Sequence, residues 1–90
     1  MSKKYTYMIS FEPNENLFKE MCTRIEKVNR IKKGELLEDV DGSLYQEYHC
    51  DDGNFEVCND CYFDNEVRID SDFELEKYLG NSWFLRKIAR

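Results

Sequence analysis

"LEDVDGSLYQEYHCDDGNFEVCNDC", residues 37–61, decides how this chain folds. It contains two Asp-Gly pairs, Asp41-Gly42 and Asp52-Gly53, each set between runs that alternate apolar and polar residues. Asp-Gly between alternating runs is the strongest short-range hairpin signal, because glycine adopts the positive φ that tight hairpin turns require. Residues 35–40, 43–50 and 54–62 are therefore expected to form a three-strand antiparallel meander. Two-residue turns would pair Val40 with Ser43 and Glu38 with Tyr45 in the first hairpin. In the second they would pair Cys50 with Phe55 and Tyr48 with Val57. That register collects Leu37, Leu44, Tyr48, Cys50, Phe55 and Val57 on a core face. The opposite face takes Glu38, Glu47, Glu56 and Asp60, with Tyr45, His49 and Cys58 among them.

On the N-terminal side, Tyr5, Tyr7, Ile9 and Phe11 alternate with Thr6, Met8 and Ser10, which predicts a first strand. After Pro13 the period changes. Leu17, Phe18, Met21, Cys22, Ile25 and Val28 recur at helical spacing, predicting one long amphipathic helix over residues 14–33. Asn14 or Asn16 serves as N-cap, Gly34 as the stop, and Lys19, Arg24, Lys27, Arg30 and Lys32 line the exposed side.

On the C-terminal side, Val67 to Ile69 extends the meander to four strands after a turn at Asp64-Asn65. Ser71 and Glu74 form a capping-box pattern for a short helix carrying Phe73, Leu75, Tyr78 and Leu79, closed by Gly80. Phe84, Leu85 and Ile88 again fall at helical spacing, predicting a second short C-terminal helix. The expectation is an α+β fold: N-terminal strand, one long amphipathic helix, antiparallel three- to four-strand meander, short C-terminal helices. A strand over residues 83–89 would make it a ferredoxin-like βαββαβ variant. Ninety residues fit a single domain, 1–90.

Charge is segregated along the chain. Residues 1–34 hold eight Lys/Arg against four Asp/Glu, and residues 77–90 hold four cations and no acid. Between them, residues 35–76 hold fifteen Asp/Glu against the single Arg68. The formal net charge of −6 conceals this block. Because Leu, Tyr, Phe and Val interleave with the acids, the block reads as folded sheet and not as an acidic tail.

No run approaches the roughly 18 apolar residues of a membrane span, and no apolar stretch follows Lys3-Lys4 as a secretory signal would require. A cytoplasmic setting (host-cell cytoplasm for a viral protein) and reduced thiols are the expectation. Cys22 and Cys50 are expected to pack as thiols, with Cys58 and Cys61 partly exposed.

The residues with metal-ligand chemistry are His49, Cys50, Cys58 and Cys61. Cys58-x-x-Cys61 has zinc-compatible spacing, but there is no second Cys/His pair at finger-like spacing. On a regular strand the adjacent His49 and Cys50 point to opposite faces, and the predicted pairing also separates Cys50 from Cys58. No metal and no cofactor is therefore assigned. Redox chemistry at Cys58 and Cys61 is disfavoured, since Glu56, Asp60, Asp64 and Glu66 oppose thiolate formation. A lone histidine without a placed nucleophile is not a catalytic set, so the expectation is a protein that is not an enzyme.

So many like charges in one fold cost stability and exceed what solubility asks of a small domain. The excess implies a partner. Carboxylates two apart on a strand stand about 6.5–7 Å apart and cross-strand neighbours about 5 Å, a spacing comparable in density to a nucleic-acid backbone. The expected function is an acidic protein-binding inhibitor that occupies the basic nucleic-acid-binding site of another protein, such as a nuclease. Its partner-binding residues are Glu38, Tyr45, Glu47, Glu56, Asp60, Asp64 and Glu66, with Tyr62, Phe63 and Trp83 as aromatic anchors. In size and acidity the chain is similar to the small DNA-mimic inhibitors that phages carry against restriction or CRISPR nucleases. The alternative is a small self-associating module (a homodimer, by charge polarity) or a zinc-stabilised adaptor without inhibitory activity. Direct nucleic-acid binding by the cationic segments is disfavoured, because the acidic block repels the same polyanion.

Overall fold

Strand alternation sorts the side chains of the central sheet into a helix-covered face and an open one. The computed structural model describes residues 4–80 and 84–89. Its elements are β1 (Tyr5–Ser10), α1 (Glu15–Ile25), β2 (Lys32–Glu38), β3 (Leu44–Cys50), β4 (Gly53–Asp60), β5 (Glu66–Ser71), α2 (Glu76–Leu79) and β6 (Arg86–Ala89). The strands form one six-stranded sheet in the order β2-β3-β4-β5-β1-β6, with every neighbouring pair antiparallel. β2 to β5 are the expected meander, extended to four strands. β1 returns to lie inside the sheet between β5 and β6.

The core lies between the sheet and the two helices. Tyr7, Tyr48, Phe55, Val57, Val67 and Ile69 from the strands meet Phe18, Met21 and Ile25 from α1, Leu75 just before α2 and Leu79 at its end. Tyr48 and Phe55 stack with ring centroids 5.3 Å apart. Each such side chain contributes about 1.5–3 kcal/mol on burial, so this layer supplies the main driving force for folding.

The expectation of one long helix with short C-terminal helices is overturned: the molecule is mostly antiparallel sheet. The Asn14 side chain caps α1 by accepting from Leu17 N–H at 3.0 Å. The helix then stops at Ile25, well short of Gly34, and the chain tightens into i→i+3 turns, Val28 N–H to Ile25 O and Ile31 N–H to Val28 O. Ile31 is buried and Val28 packs on the core from these turns, which is why the apolar spacing outlasts the helix. α1 is also not a basic helix. Lys19 and Arg24 are paired at i,i+4 with Glu15 and Glu20, and the other expected cations lie beyond its end.

At the C-terminal end, the predicted Ser71–Glu74 capping box does not form. Ser71 closes β5, its hydroxyl bonding the Phe73 backbone, and α2 begins only at Glu76 without a side-chain cap. The helix predicted around Phe84, Leu85 and Ile88 is replaced by β6, which pairs with β1. Four consecutive strands between the helices also set the fold apart from a ferredoxin-like βαββαβ variant.

Both hairpin registers differ from expectation, with unequal consequences. In the first, Asp39 N–H bonds Ser43 O across a three-residue loop, with Gly42 at φ +92°, so Leu37 pairs with Tyr45 and Glu38 with Leu44. A one-residue slip exchanges faces. Leu37 therefore joins the open face and Glu38 leaves it. In the second, Asp51 and Asp52 form the turn and Tyr48 pairs with Phe55, a two-residue slip in the pairing that leaves every face assignment intact. β2 carries a bulge between Lys33 and Leu36, where Gln46 Nε2 donates to the Gly34 and Glu35 carbonyls. Space is tight there: a Cβ on Gly34 would come within 2.7 Å of His49 Nε2, so the imidazole would have to shift.

Candidate functional site: an acidic open sheet face

Both helices pack on one side of the sheet, and among the described residues no helix covers the other. On that open side the register builds cross-strand rows. Glu47, Glu56, Asp70 and Thr6 stand directly opposite one another across β3, β4, β5 and β1. Two residues along, Leu37, Tyr45, Cys58, Arg68 and Met8 form the next row. Asp60 opposite Glu66 begins a third. Carboxylates thus flank a central row that holds Arg68 and, at its β6 end opposite Met8, Arg86.

Arg68 organises this arrangement. Its guanidinium contacts Asp60 at 3.0 Å, Asp70 at 3.0 Å, Glu66 at 3.3 Å and Asp64 at 3.6 Å. Burial pushes the Asp60 carboxyl up, but the Tyr62 and Phe63 N–H groups and the Arg68 charge outweigh it and hold it below the ordinary carboxylate value. At Glu66 burial wins, and its carboxyl is raised despite Arg68. The cluster is therefore a cation buried under carboxylates and not an evenly charged plane.

The expected partner-binding residues divide into four groups. Glu47, Glu56, Tyr45 and Glu66 lie on the open face. Asp64, in the β4–β5 loop, is exposed beside Arg68. Glu38 sits exposed at the end of β2 but points to the helix side, because of the register slip. Asp60 is buried and serves the loop and Arg68, so it offers no surface charge. Trp83 and Arg90 lie outside the described residues. Asp70 and Arg68 are the functional residues that sequence reasoning missed. Their signal was the i, i+2 spacing Glu66-x-Arg68-x-Asp70, which puts all three on one face of a strand.

The candidate metal ligands are not gathered. Cys50 Sγ donates to Gly53 O, and Cys61 Sγ accepts from Asn59 Nδ2. The His49 ring bonds Asn54, its cross-strand neighbour, at 2.7 Å and meets Glu47 at 3.2 Å. Cys58 is fully buried, contrary to the expected partial exposure, while Cys50 is half-buried. Among the described residues a different trio converges: ligand atoms of Glu56, Cys58 and Asp70 lie within 4.8 Å of one another. Its chemistry does not fit a cation well. Arg68 Nε already donates to Asp70, and burial pushes the Cys58 thiol up, away from the thiolate a soft metal binds.

No protein-family model matches the sequence, and no curated protein or solved structure matches the chain.

Proposed function

We propose that this protein is an acidic inhibitor that binds the basic nucleic-acid-binding surface of another protein and blocks it. The observation that carries this reading is the cross-strand pair Glu47–Glu56, two carboxylates placed directly opposite one another on a face left open by both helices, with Asp70 next in the row but buried and held by Arg68. Like charges in directly opposed positions are destabilising, so the Glu47–Glu56 pair bears a cost in the free protein. A cationic surface relieves that cost on binding, and the same field that attracts nucleic acid attracts this face. Residues 35–67, which include β3 and β4 and most of β2, contain no Lys or Arg to weaken the attraction.

The test combines capture and competition. Protein used as bait is washed at low and then high salt, and the nucleic-acid binding of the released partner is measured with and without the bait. Binding should weaken steeply with salt and compete with DNA or RNA. Charge reversal at Glu47 and Glu56 should abolish inhibition while leaving the fold intact; inhibition at the wild-type level by that double variant refutes the reading.

A further inference from the structure

The sheet has two unlike ends. At one, β1 ends, β2 turns into β3, β4 turns into β5 and β6 begins. Exposed large apolar side chains collect there: Phe11 after β1, Val40 in the β2–β3 turn, Tyr62 and Phe63 in the β4–β5 loop, and Leu85 before β6. By strand order they follow one another across the sheet end, a row of roughly 22 Å at about 4.8 Å per strand. Within this row Tyr62 and Phe63 touch each other, and exposed apolar groups in contact mark interaction sites.

The central pair is held in place. Tyr62 and Phe63 pack edge to face with ring centroids 4.7 Å apart, yet both remain largely exposed, Phe63 at 79 %. Their backbone N–H groups both donate to Asp60 Oδ1 at 3.0 Å, and Asp60 Oδ2 is gripped by Arg68. Asn65 completes the loop at φ +52°. The buried ion pair thus presents two rings to solvent in a fixed geometry, which lowers the ordering cost of binding. Asp39 and Asp41 flank Val40, and Asp64 flanks the rings.

We infer that this end of the sheet docks onto a cationic protein surface that also carries aromatic or apolar platforms, with Tyr62 and Phe63 as the anchors. Charge complementarity selects the occupant: Asp39, Asp41 and Asp64 border Val40 and the two rings, so the partner supplies cations around apolar clefts there. That combination is the chemistry of a channel for single-stranded nucleic acid, where cations follow the backbone and ring platforms stack the bases. Carboxylates take the place of phosphates and the two rings the place of bases. The inference rests on the proposed inhibitor reading and narrows its partner class.

The experiment uses two labelled peptides of equal length and charge, one alternating Arg and Trp, the other alternating Arg and Ser, measured by fluorescence anisotropy at about 50 mM salt. Wild-type protein should bind the Arg–Trp peptide at least about tenfold more tightly, as expected of aromatic anchors. The double variant Tyr62→Ser/Phe63→Ser should lose that preference while keeping its Arg–Ser affinity and melting temperature. Phe63→Ser alone, at the most exposed ring, replaces it if the double variant melts early. Equal binding of both peptides by wild type, or a preference that survives the substitutions, overturns the inference and leaves the broader inhibitor reading standing. No binding of either peptide overturns both.

Discussion

Replacing Arg68 with methionine keeps a long apolar stem and removes the one cation shared by four carboxylates. The cost follows from burial. Side-chain exposure is 13 % for Arg68, 3 % for Asp60, 15 % for Glu66 and 12 % for Asp70, so three of the four contacts lie outside the surface regime of about 0–1 kcal/mol. Asp64, at 62 % exposure, belongs to that regime and adds little. Removing one partner of a buried pair costs about 3–5 kcal/mol, because the remaining charges are stranded. At about 4–8 °C per kcal/mol for a domain of this size, the lower figure predicts a fall in Tm of roughly 12–24 °C at neutral pH.

The pH dependence gives this prediction its sign. In the wild type the folded Asp60 carboxyl lies below its unfolded value, so its contribution is present at neutral pH and lost as pH falls through the folded value. Without the guanidinium, Asp60 keeps only its two N–H donors against burial and the Glu66 carboxyl, already raised by burial, rises further, so the folded variant binds a proton that its unfolded chain does not. Its stability then rises as pH falls from 7.5 toward 5, and the gap to the wild type narrows. Circular-dichroism melts of both proteins at pH 7.5 and 5.0 measure this. A loss below about 4 °C at pH 7.5, or one just as large at pH 5.0, refutes the assignment of Arg68 as the charge centre of the face.

Two further outcomes test the packing on either side of the sheet. Tyr7 is fully buried; its hydroxyl donates to Glu76 Oε1 at 2.7 Å and accepts the Leu75 N–H at 2.9 Å, and burial first and the Glu76 bond second push its phenol up to about 12. Tyr7→Phe strands that buried N–H and should cost about 1–3 kcal/mol in urea denaturation, while a loss under about 0.5 kcal/mol contradicts the bridge between β1 and α2. Under native conditions an alkylating agent should modify Cys50 and Cys61 quickly and Cys22 and Cys58 slowly, because burial hides the latter pair and pushes their thiols up. Mass spectrometry showing all four labelled at one rate rules out the burial of Cys58 between Tyr45 and Arg68.

Several elements were legible in the residues themselves. Alternation named β1 and the meander, Asn14 gave the helix start, and Asp64-Asn65 marked the turn into β5, where Asn65 takes positive φ. These are local signals: side-chain period, a capping oxygen, a residue that tolerates a left-handed backbone. The acid of residues 35–76 was equally plain, since composition needs no fold.

What tertiary structure alone decided depends on contacts between distant residues. Helix α1 ended at Ile25 because Val28 and Ile31 reach the core from turns as well as from a helix, so the apolar pattern could not tell the two apart. Residues 86–89 became a strand because β1 offered an unpaired edge, and backbone pairing overrode their helical spacing. One extra loop residue before Ser43 moved Leu37 onto the open face and Glu38 off it. Finally, Asp60 was withdrawn from the surface by Arg68, eight residues away, which turned an expected contact residue into the support for Tyr62 and Phe63. The sequence by itself settled which residues carry charge. Which charges stay available was settled by cross-strand pairing, since only folding brings Asp60 and Arg68 together and takes them both out of water.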